Sequence, residues 1–150
     1  MKQFFLDGAP VPFEDGDTLM AAATRAGHQV PHLCWHPQLA PSGACRLCTV
    51  QVDGRMAAAC TTRASEGQEV HNHTPELTAL RRQLTQMLFV EGNHYCPGCE
   101  KSGDCDLQST AYALGMADMR HDLLMPQRPV DASHPDLWLD HNRCILCKLC

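Results

Sequence analysis

Ten cysteines in 150 residues, set in three spaced groups, constrain this chain more than any other feature. The groups are Cys34-x10-Cys45-x2-Cys48-x11-Cys60, His94-x-Cys96-x2-Cys99-x5-Cys105 and Cys144-x2-Cys147-x2-Cys150. In an exported chain such a count reads as a disulfide framework; in the cytosol, clustered C-x2-C pairs read as metal ligands. The opening residues, MKQFFLDGAPVPFEDG, hold neither the apolar core nor the cleavage site of a signal peptide. No run approaches the roughly 18 apolar residues of a membrane span. The expectation is a cytoplasmic, metal-binding chain without a membrane span.

Each group carries its own chemistry. In the first, a close C-x2-C pair and two outlying cysteines (Cys34, Cys45, Cys48, Cys60) can hold a [2Fe–2S] rhomb with two thiolates on each iron. The loop must then turn tightly around inorganic sulfide, and Pro41, Ser42, Gly43 and Ala44 are small or turn-forming residues of that kind. The alternative is a structural zinc on four cysteines, although a zinc ribbon usually shows two C-x2-C pairs. In the second group, His94 with Cys96, Cys99 and Cys105 can hold a [4Fe–4S] cubane, its neutral imidazole tending to raise the potential. Zinc on three cysteines and one histidine is the alternative there. The other eight histidines read as ordinary, although His32 and His36 flank Cys34 and could hydrogen-bond near its cluster. The third group, Cys144, Cys147 and Cys150, is the opening of the bacterial ferredoxin run C-x2-C-x2-C, which recruits a later fourth cysteine. A longer natural chain, a partner's ligand or a partial cluster would account for the missing ligand. The first is favoured, because a free chain end inside a cluster loop is physically awkward.

The turn and helix signals outline an α+β fold. Gln3–Leu6 and Val11–Phe13 flank the turn dipeptide Asp7-Gly8, and Thr49–Val52 and Met56–Cys60 flank Asp53-Gly54. Asp17 reads as the N-cap of a helix over 18–25 with Gly27 past its end, and Glu69–His71 as a further strand. Thr74-Pro75 opens the clearest helix. Leu77, Leu80, Leu84, Met87 and Leu88 form its apolar face, and Gly92 stops it. A shorter helix over 107–114 stops at Gly115, residues 116–136 form an extended connector, and Leu137–Leu139 is a short strand. Aromatics at 5% leave the core to Leu, Val, Ala and Met, and Met87, Met116, Met119 and Met125 read as core packing. The domain boundaries expected are 1–73, 74–125 and 126–150. Net charge is −5 and Arg81-Arg82 is the one adjacent basic pair, which gives no footprint for nucleic acid. None of the G-x-G-x-x-G, P-loop, H-E-x-x-H or G-x-S-x-G signatures occurs, so no substrate-converting site is expected.

The order of the three groups resembles a known family. The carrying stretches are PHLCWHPQLAPSGACRLCTVQVDG, LFVEGNHYCPGCEKSGDCDLQ and PVDASHPDLWLDHNRCILC. They resemble the N-terminal iron–sulfur region of the large electron-carrying subunit of bacterial complex I and of [FeFe] hydrogenases. They are most similar to the diaphorase iron–sulfur (gamma) subunit of soluble or bidirectional NAD-reducing [NiFe] hydrogenases. In complex I and [FeFe] hydrogenases the histidine ligand typically stands four residues before the first cysteine, where this chain has Gly92; His94 stands two before, as in the diaphorase subunit. The resemblance implies a β-grasp [2Fe–2S] domain, a small helical [4Fe–4S] domain with one histidine and three cysteine ligands, and the start of a ferredoxin-like [4Fe–4S] domain. It also implies an electron relay subunit, with an FMN- and NADH-binding diaphorase subunit and the [NiFe] hydrogenase small and large subunits as partners. An equivalent subunit beside a formate dehydrogenase catalytic subunit, or in a complex I–like dehydrogenase, is the first alternative. A zinc-stapled interaction protein without redox function is the second.

Overall fold

A computed structural model describes residues 2–149. The chain divides into two compact units, one taking in the residues up to Leu80 together with those from Cys147 on, the other Arg81–Leu146.

The first unit is built on two hairpins. β1 (Gln3–Leu6) pairs antiparallel with β2 (Ala9–Pro12), and β3 (Thr49–Val52) with β4 (Arg55–Ala58). Both turns are Asp-Gly with positive φ at each residue, 50° and 84° at Asp7-Gly8 and 46° and 82° at Asp53-Gly54. That is the type I′ geometry whose twist matches the flanking strands. β5 (Glu69–His71) runs between the hairpins, parallel to β1 and antiparallel to β3, giving the order β2-β1-β5-β3-β4. The expected partner strand over Met56–Cys60 is shifted, because the chain turns off the sheet after Ala58 and carries Cys60 away from the ladder.

α1 (Leu19–Arg25) lays Leu19, Met20, Ala22 and Ala23 into one core with Phe4, Leu6, Val11, Val50 and Val70. Phe4 and Phe13, 6.2 Å apart between ring centroids, also lie in that core. Two phenylalanines thus anchor a lobe whose low aromatic content pointed to aliphatics alone. Each fully buried large side chain contributes about 1.5–3 kcal/mol. The N-cap is Thr18, not Asp17: the Thr18 hydroxyl accepts from the Ala21 N–H at 3.1 Å. Asp17 accepts instead from the Glu14 N–H at 2.7 Å and pairs with Arg25. At the other end the Gly27 N–H bonds to Thr24 and the His28 N–H to Ala23, a Schellman closure.

α2 (Pro75–Glu91) is capped by Thr74, whose hydroxyl accepts from the Leu77 N–H at 3.1 Å. Its buried line is Leu77, Arg81 and Thr85, with Gln86 beside it, while Leu80, Leu84 and Leu88 are half-buried and Met87 is exposed. The expected apolar face is therefore rotated. Polar groups go inward with partners: the Thr85 hydroxyl donates to the Arg81 carbonyl at 2.8 Å, and the Gln86 amide oxygen accepts from the Arg120 N–H at 3.3 Å. Met125 is exposed as well, and Met116 and Met119 are half-buried, so these four methionines do not form core.

The second unit continues with a 3-10 turn (Cys96–Gly98) and α3 (Asp106–Ala113). α3 closes with bonds from the Gly115 N–H to Tyr112 and from the Met116 N–H to Ala111, Gly115 taking φ 67°. The Arg82 guanidinium donates to the exposed Leu114 carbonyl at 2.6 Å, tying α2 to that end. The connector is not uniformly extended. β6 (Val130–Asp131) pairs with β7 (Leu139–Asp140), so the expected strand begins at Leu139 and has a partner inside the Pro-rich stretch.

Candidate metal centres

The first four cysteines arrive from different directions. Cys34 and Cys45 bracket the loop after α1, Cys48 precedes β3, and Cys60 follows β4. The first N–H groups of α1 bond to carbonyls beside Cys60, Leu19 to Thr62 at 2.9 Å and Met20 to Ala59 at 3.0 Å, so helix and cysteine hold each other in place. Arg46 and Gly43 take positive φ, 58° and 65°, which wraps the loop back on itself. A Cβ on Gly43 would stand 3.2 Å from Thr61 Cγ2.

The sulfurs meet in two pairs. The Cys45 N–H donates to Cys34 Sγ at 3.3 Å, and the two side chains also hydrogen-bond. Cys48 shares a hydrogen bond with Cys60 and feels the charges of Cys60 and Cys34. Cys34, Cys48 and Cys60 are buried and Cys45 is half-buried. Burial pushes the Cys34 thiol up, but the Cys45 N–H, the Cys45 and Ser42 side chains and the Ala44 N–H outweigh it and hold Cys34 below its ordinary value. Burial pushes Cys45 up, and burial together with Cys60 and Cys34 pushes Cys48 up to about 12. Four thiolates this close repel one another in a dry site, and a cationic metal core removes that penalty. The donor set therefore fits an iron–sulfur rhomb.

The second group lines one pocket with a cavity volume of about 30 Å³. Its walls include His94, Cys96, Cys99, Cys105, Phe89 and Arg143. The loop winds by successive three-residue turns, with N–H bonds from Cys99 to Cys96, Ser102 to Cys99 and Asp104 to Lys101, all near 3.1 Å or shorter. Gln108 fastens that loop: its amide oxygen accepts from the Gly103 N–H at 2.9 Å and its amide nitrogen donates to Ser102 at 3.3 Å. His94 Nε2 is buried with no hydrogen-bond partner. The Leu88 carbonyl accepts from the ring, and Phe89 stands edge-on to it at 5.7 Å. Burial lowers the His94 pKa, and Arg143 adds to this, so the imidazole is held neutral. A neutral ring fixed through one nitrogen by a backbone carbonyl, with the other unpartnered, is the donor state that binds metal.

In the third group Cys144 and Cys147 are half-buried, and Cys150 lies outside the described residues. The Leu146 N–H donates to Cys144 Sγ at 3.3 Å, and Leu146 and Lys148 both take positive φ. His32 bonds the Val30 carbonyl at 2.7 Å, and His36 accepts from the Gln38 N–H at 3.3 Å; each spends a ring nitrogen on its own loop. The nine described cysteines are all free of disulfides. Among the described residues no three or more His, Cys, Asp and Glu side chains are arranged for a single metal ion.

A family model described as a 2Fe-2S iron-sulfur cluster binding domain matches residues 1–75, half of the chain. The chain belongs to that family. A second model, the NADH-ubiquinone oxidoreductase-G iron-sulfur binding region, matches residues 81–120. Both 2Fe-2S and 4Fe-4S cofactors are thus assigned to this iron–sulfur chain. It is 43% identical over 148 residues to the gamma subunit of the NAD-reducing hydrogenase HoxS of Cupriavidus necator, covering 99% of this chain and 63% of that protein. It is 33% identical over 152 residues to the alpha subunit of the NADPH-Fe(3+) oxidoreductase of Geobacter sulfurreducens, and 34% over 151 residues to an NADH-quinone oxidoreductase subunit of Streptomyces coelicolor. These matches cover 100% and 97% of this chain and 18% of each relative. A crystal structure of an NAD+-reducing [NiFe]-hydrogenase in the H2-reduced state superposes with a TM-score of 0.94 at 55% identity, covering 99% of this chain and 63% of that one. The iron–sulfur chain therefore spans less than two thirds of the length of these relatives.

The sequence reading missed the residues that set up the second pocket. Leu88, Phe89, Gln108 and Arg143 look like helix face, helix face, helix start and surface charge. Only the fold brings them to His94 and its cysteines. Among the described residues no helix is long and apolar enough to cross a membrane.

Proposed function

We propose that this chain is an electron relay of a cytoplasmic NAD-reducing hydrogenase, with no substrate-converting site of its own. In this reading Cys34 and Cys45 hold one iron of a [2Fe–2S] cluster and Cys48 and Cys60 the other. His94, Cys96, Cys99 and Cys105 hold a [4Fe–4S] cluster, and Cys144, Cys147 and Cys150 belong to a second one. The domains are a β-grasp lobe over 1–73, a helical lobe over 74–125 and the connector with the start of a ferredoxin-like lobe over 126–150. The strand order β2-β1-β5-β3-β4 with one helix on the sheet supports the β-grasp assignment.

The observation that carries the reading is the second pocket, lined by three cysteines and by His94, whose Nε2 is buried and unpartnered. When bound, the clusters supply one-electron carriers. The chain's own residues supply the thiolates, keep His94 neutral, and exclude water from Cys34, Cys48 and Cys60. The partners in this reading are an FMN- and NADH-binding diaphorase subunit and the [NiFe] subunits. The likeness to the HoxS relative over nearly the whole chain supports that choice. A second reading, the matching segment of an NADH-quinone oxidoreductase, has the Streptomyces coelicolor relative behind it.

The test is to isolate the assembled complex and measure iron, acid-labile sulfide, nickel and EPR signals. The expected result is a brown complex with [2Fe–2S] and [4Fe–4S] signals, nickel in co-purifying subunits and hydrogen-dependent NAD+ reduction. A colourless, zinc-loaded chain refutes the relay. Iron–sulfur signals without nickel refute the hydrogenase and favour the second reading.

A further inference from the structure

We infer that Gly92 is the positioning residue that admits the His94 imidazole to its pocket. This rests on the proposal that His94 is a cluster ligand. Gly92 is buried, and its backbone is outside the left-handed region, so conformational freedom does not explain a glycine there. Space does. A Cβ on residue 92 would lie 2.2 Å from His94 Nε2, 2.5 Å from its Cδ2 and 3.0 Å from the Asn142 carbonyl oxygen. The first two distances are far inside van der Waals contact, so any side chain at 92 collides with the ring at its buried, unpartnered nitrogen.

Neither side can give way cheaply. The backbone is pinned, because the Asn93 N–H bonds to that same Asn142 carbonyl at 2.6 Å. The ring is held by the Leu88 carbonyl and by Phe89 edge-on at 5.7 Å. A methyl group at 92 thus turns the imidazole off its Leu88 anchor and out of its place in the pocket that it lines with Cys96, Cys99 and Cys105. The requirement is specific to a ring. A cysteine at position 94 has no atoms where Cδ2 and Nε2 lie, so the collision with a Cβ at 92 is absent.

The test is a double-variant cycle in the assembled complex: unaltered protein, Gly92→Ala, His94→Cys, and both together. Iron content, EPR spectra and midpoint potentials are measured for each. Gly92→Ala is expected to shift or abolish the same [4Fe–4S] signal that His94→Cys alters, with the [2Fe–2S] signal unchanged. The double variant is expected to reproduce the signal and iron content of His94→Cys alone, including the case where Gly92→Ala by itself yields no assembled protein. A Gly92→Ala complex with an unaltered signal and potential overturns the inference. So does a double variant that loses a centre retained by His94→Cys alone, since the glycine then serves the backbone at Asn142 instead of the ring. If His94→Cys changes no [4Fe–4S] signal, the ligand proposal itself falls, a result distinct from both.

Discussion

Asp7 ties three separated segments together, and its removal is expected to loosen the first unit by a predictable amount. One carboxylate oxygen accepts from the Asn72 N–H at 2.8 Å and from the His73 N–H at 3.3 Å, and the other meets His73 Nδ1 at 2.8 Å. The Asn72 side chain, buried, passes the connection on by donating to the Gln29 carbonyl at 3.1 Å, five residues before Cys34. The Asp7–Asn72–Gln29 chain thus fixes both the end of β5 and the approach to the first cysteine loop. Hydrogen bonds to a charged group contribute about 1.5–3 kcal/mol each when shielded. The Asp7 side chain is about a third exposed (32%) and His73 mostly exposed (74%), so the sum is discounted for screening. Asp7→Ala is then expected to cost about 2 kcal/mol. Asp7→Asn keeps one acceptor and tolerates the φ of 50°, and should cost about half that. Urea unfolding followed by far-UV circular dichroism measures both; with a slope of about 1–2 kcal/mol/M, the Ala variant's midpoint falls by roughly 1–2 M. Acid gives an independent check. Burial raises the Asp7 pKa, but the hydrogen bonds from Asn72 and His73 outweigh it and hold the carboxyl below its ordinary 3.8. The unfolded chain therefore takes up the proton first. Asp7's contribution is complete above that ordinary value and is lost as pH falls through the depressed folded value. An Ala variant within about 0.5 kcal/mol of the unaltered protein, or an Asn variant as damaged as the Ala, refutes this account.

Thr18→Ala removes the α1 cap and is expected to cost about 1 kcal/mol in urea unfolding, with Thr18→Ser close to neutral. Gly115→Ala forces a Cβ onto a φ of 67° with an Arg82 nitrogen 3.3 Å away, and is expected to lose about 1 kcal/mol in the same assay. Gln108→Leu frees the Gly103 N–H and Ser102, so iron is expected to leave the His94 centre for a chelator about five-fold faster, in line with about 1 kcal/mol. The [2Fe–2S] centre of that variant should release iron at the unaltered rate, as measured by its visible absorption.

What could be read from the sequence was local in origin. Asp-Gly between alternating apolar residues fixes a hairpin because few residues adopt positive φ twice in succession, and both hairpins are present. Thr74-Pro75 and Gly115 mark helix ends for equally local reasons. What could not be read depends on neighbours far along the chain. The inward turn of Gln86 needs Arg120 to receive it. β7 needs Val130 and Asp131, which a Pro-rich connector conceals. Two adjacent oxygen-bearing side chains, Asp17 and Thr18, compete for one cap, and composition cannot rank them once Arg25 claims the carboxylate. The cysteine spacing named the candidate ligands, whereas the state of His94 emerged only from Leu88, Phe89 and Arg143 around it.

The position of β5 has a consequence for how the first unit comes into being. The last strand in sequence is the middle strand in space, with Val70 set between Leu6 and Val52. Each hairpin closes a short loop and can form as soon as it is made, but the two share no ladder without β5. Joining Phe5 to Glu69 spans most of the lobe, the kind of distant pairing that slows folding. During synthesis Cys34, Cys45, Cys48 and Cys60 all leave the ribosome before the strand that locks their scaffold. The four thiols therefore wait on an open frame until His71 has been made and the sheet that carries them can close.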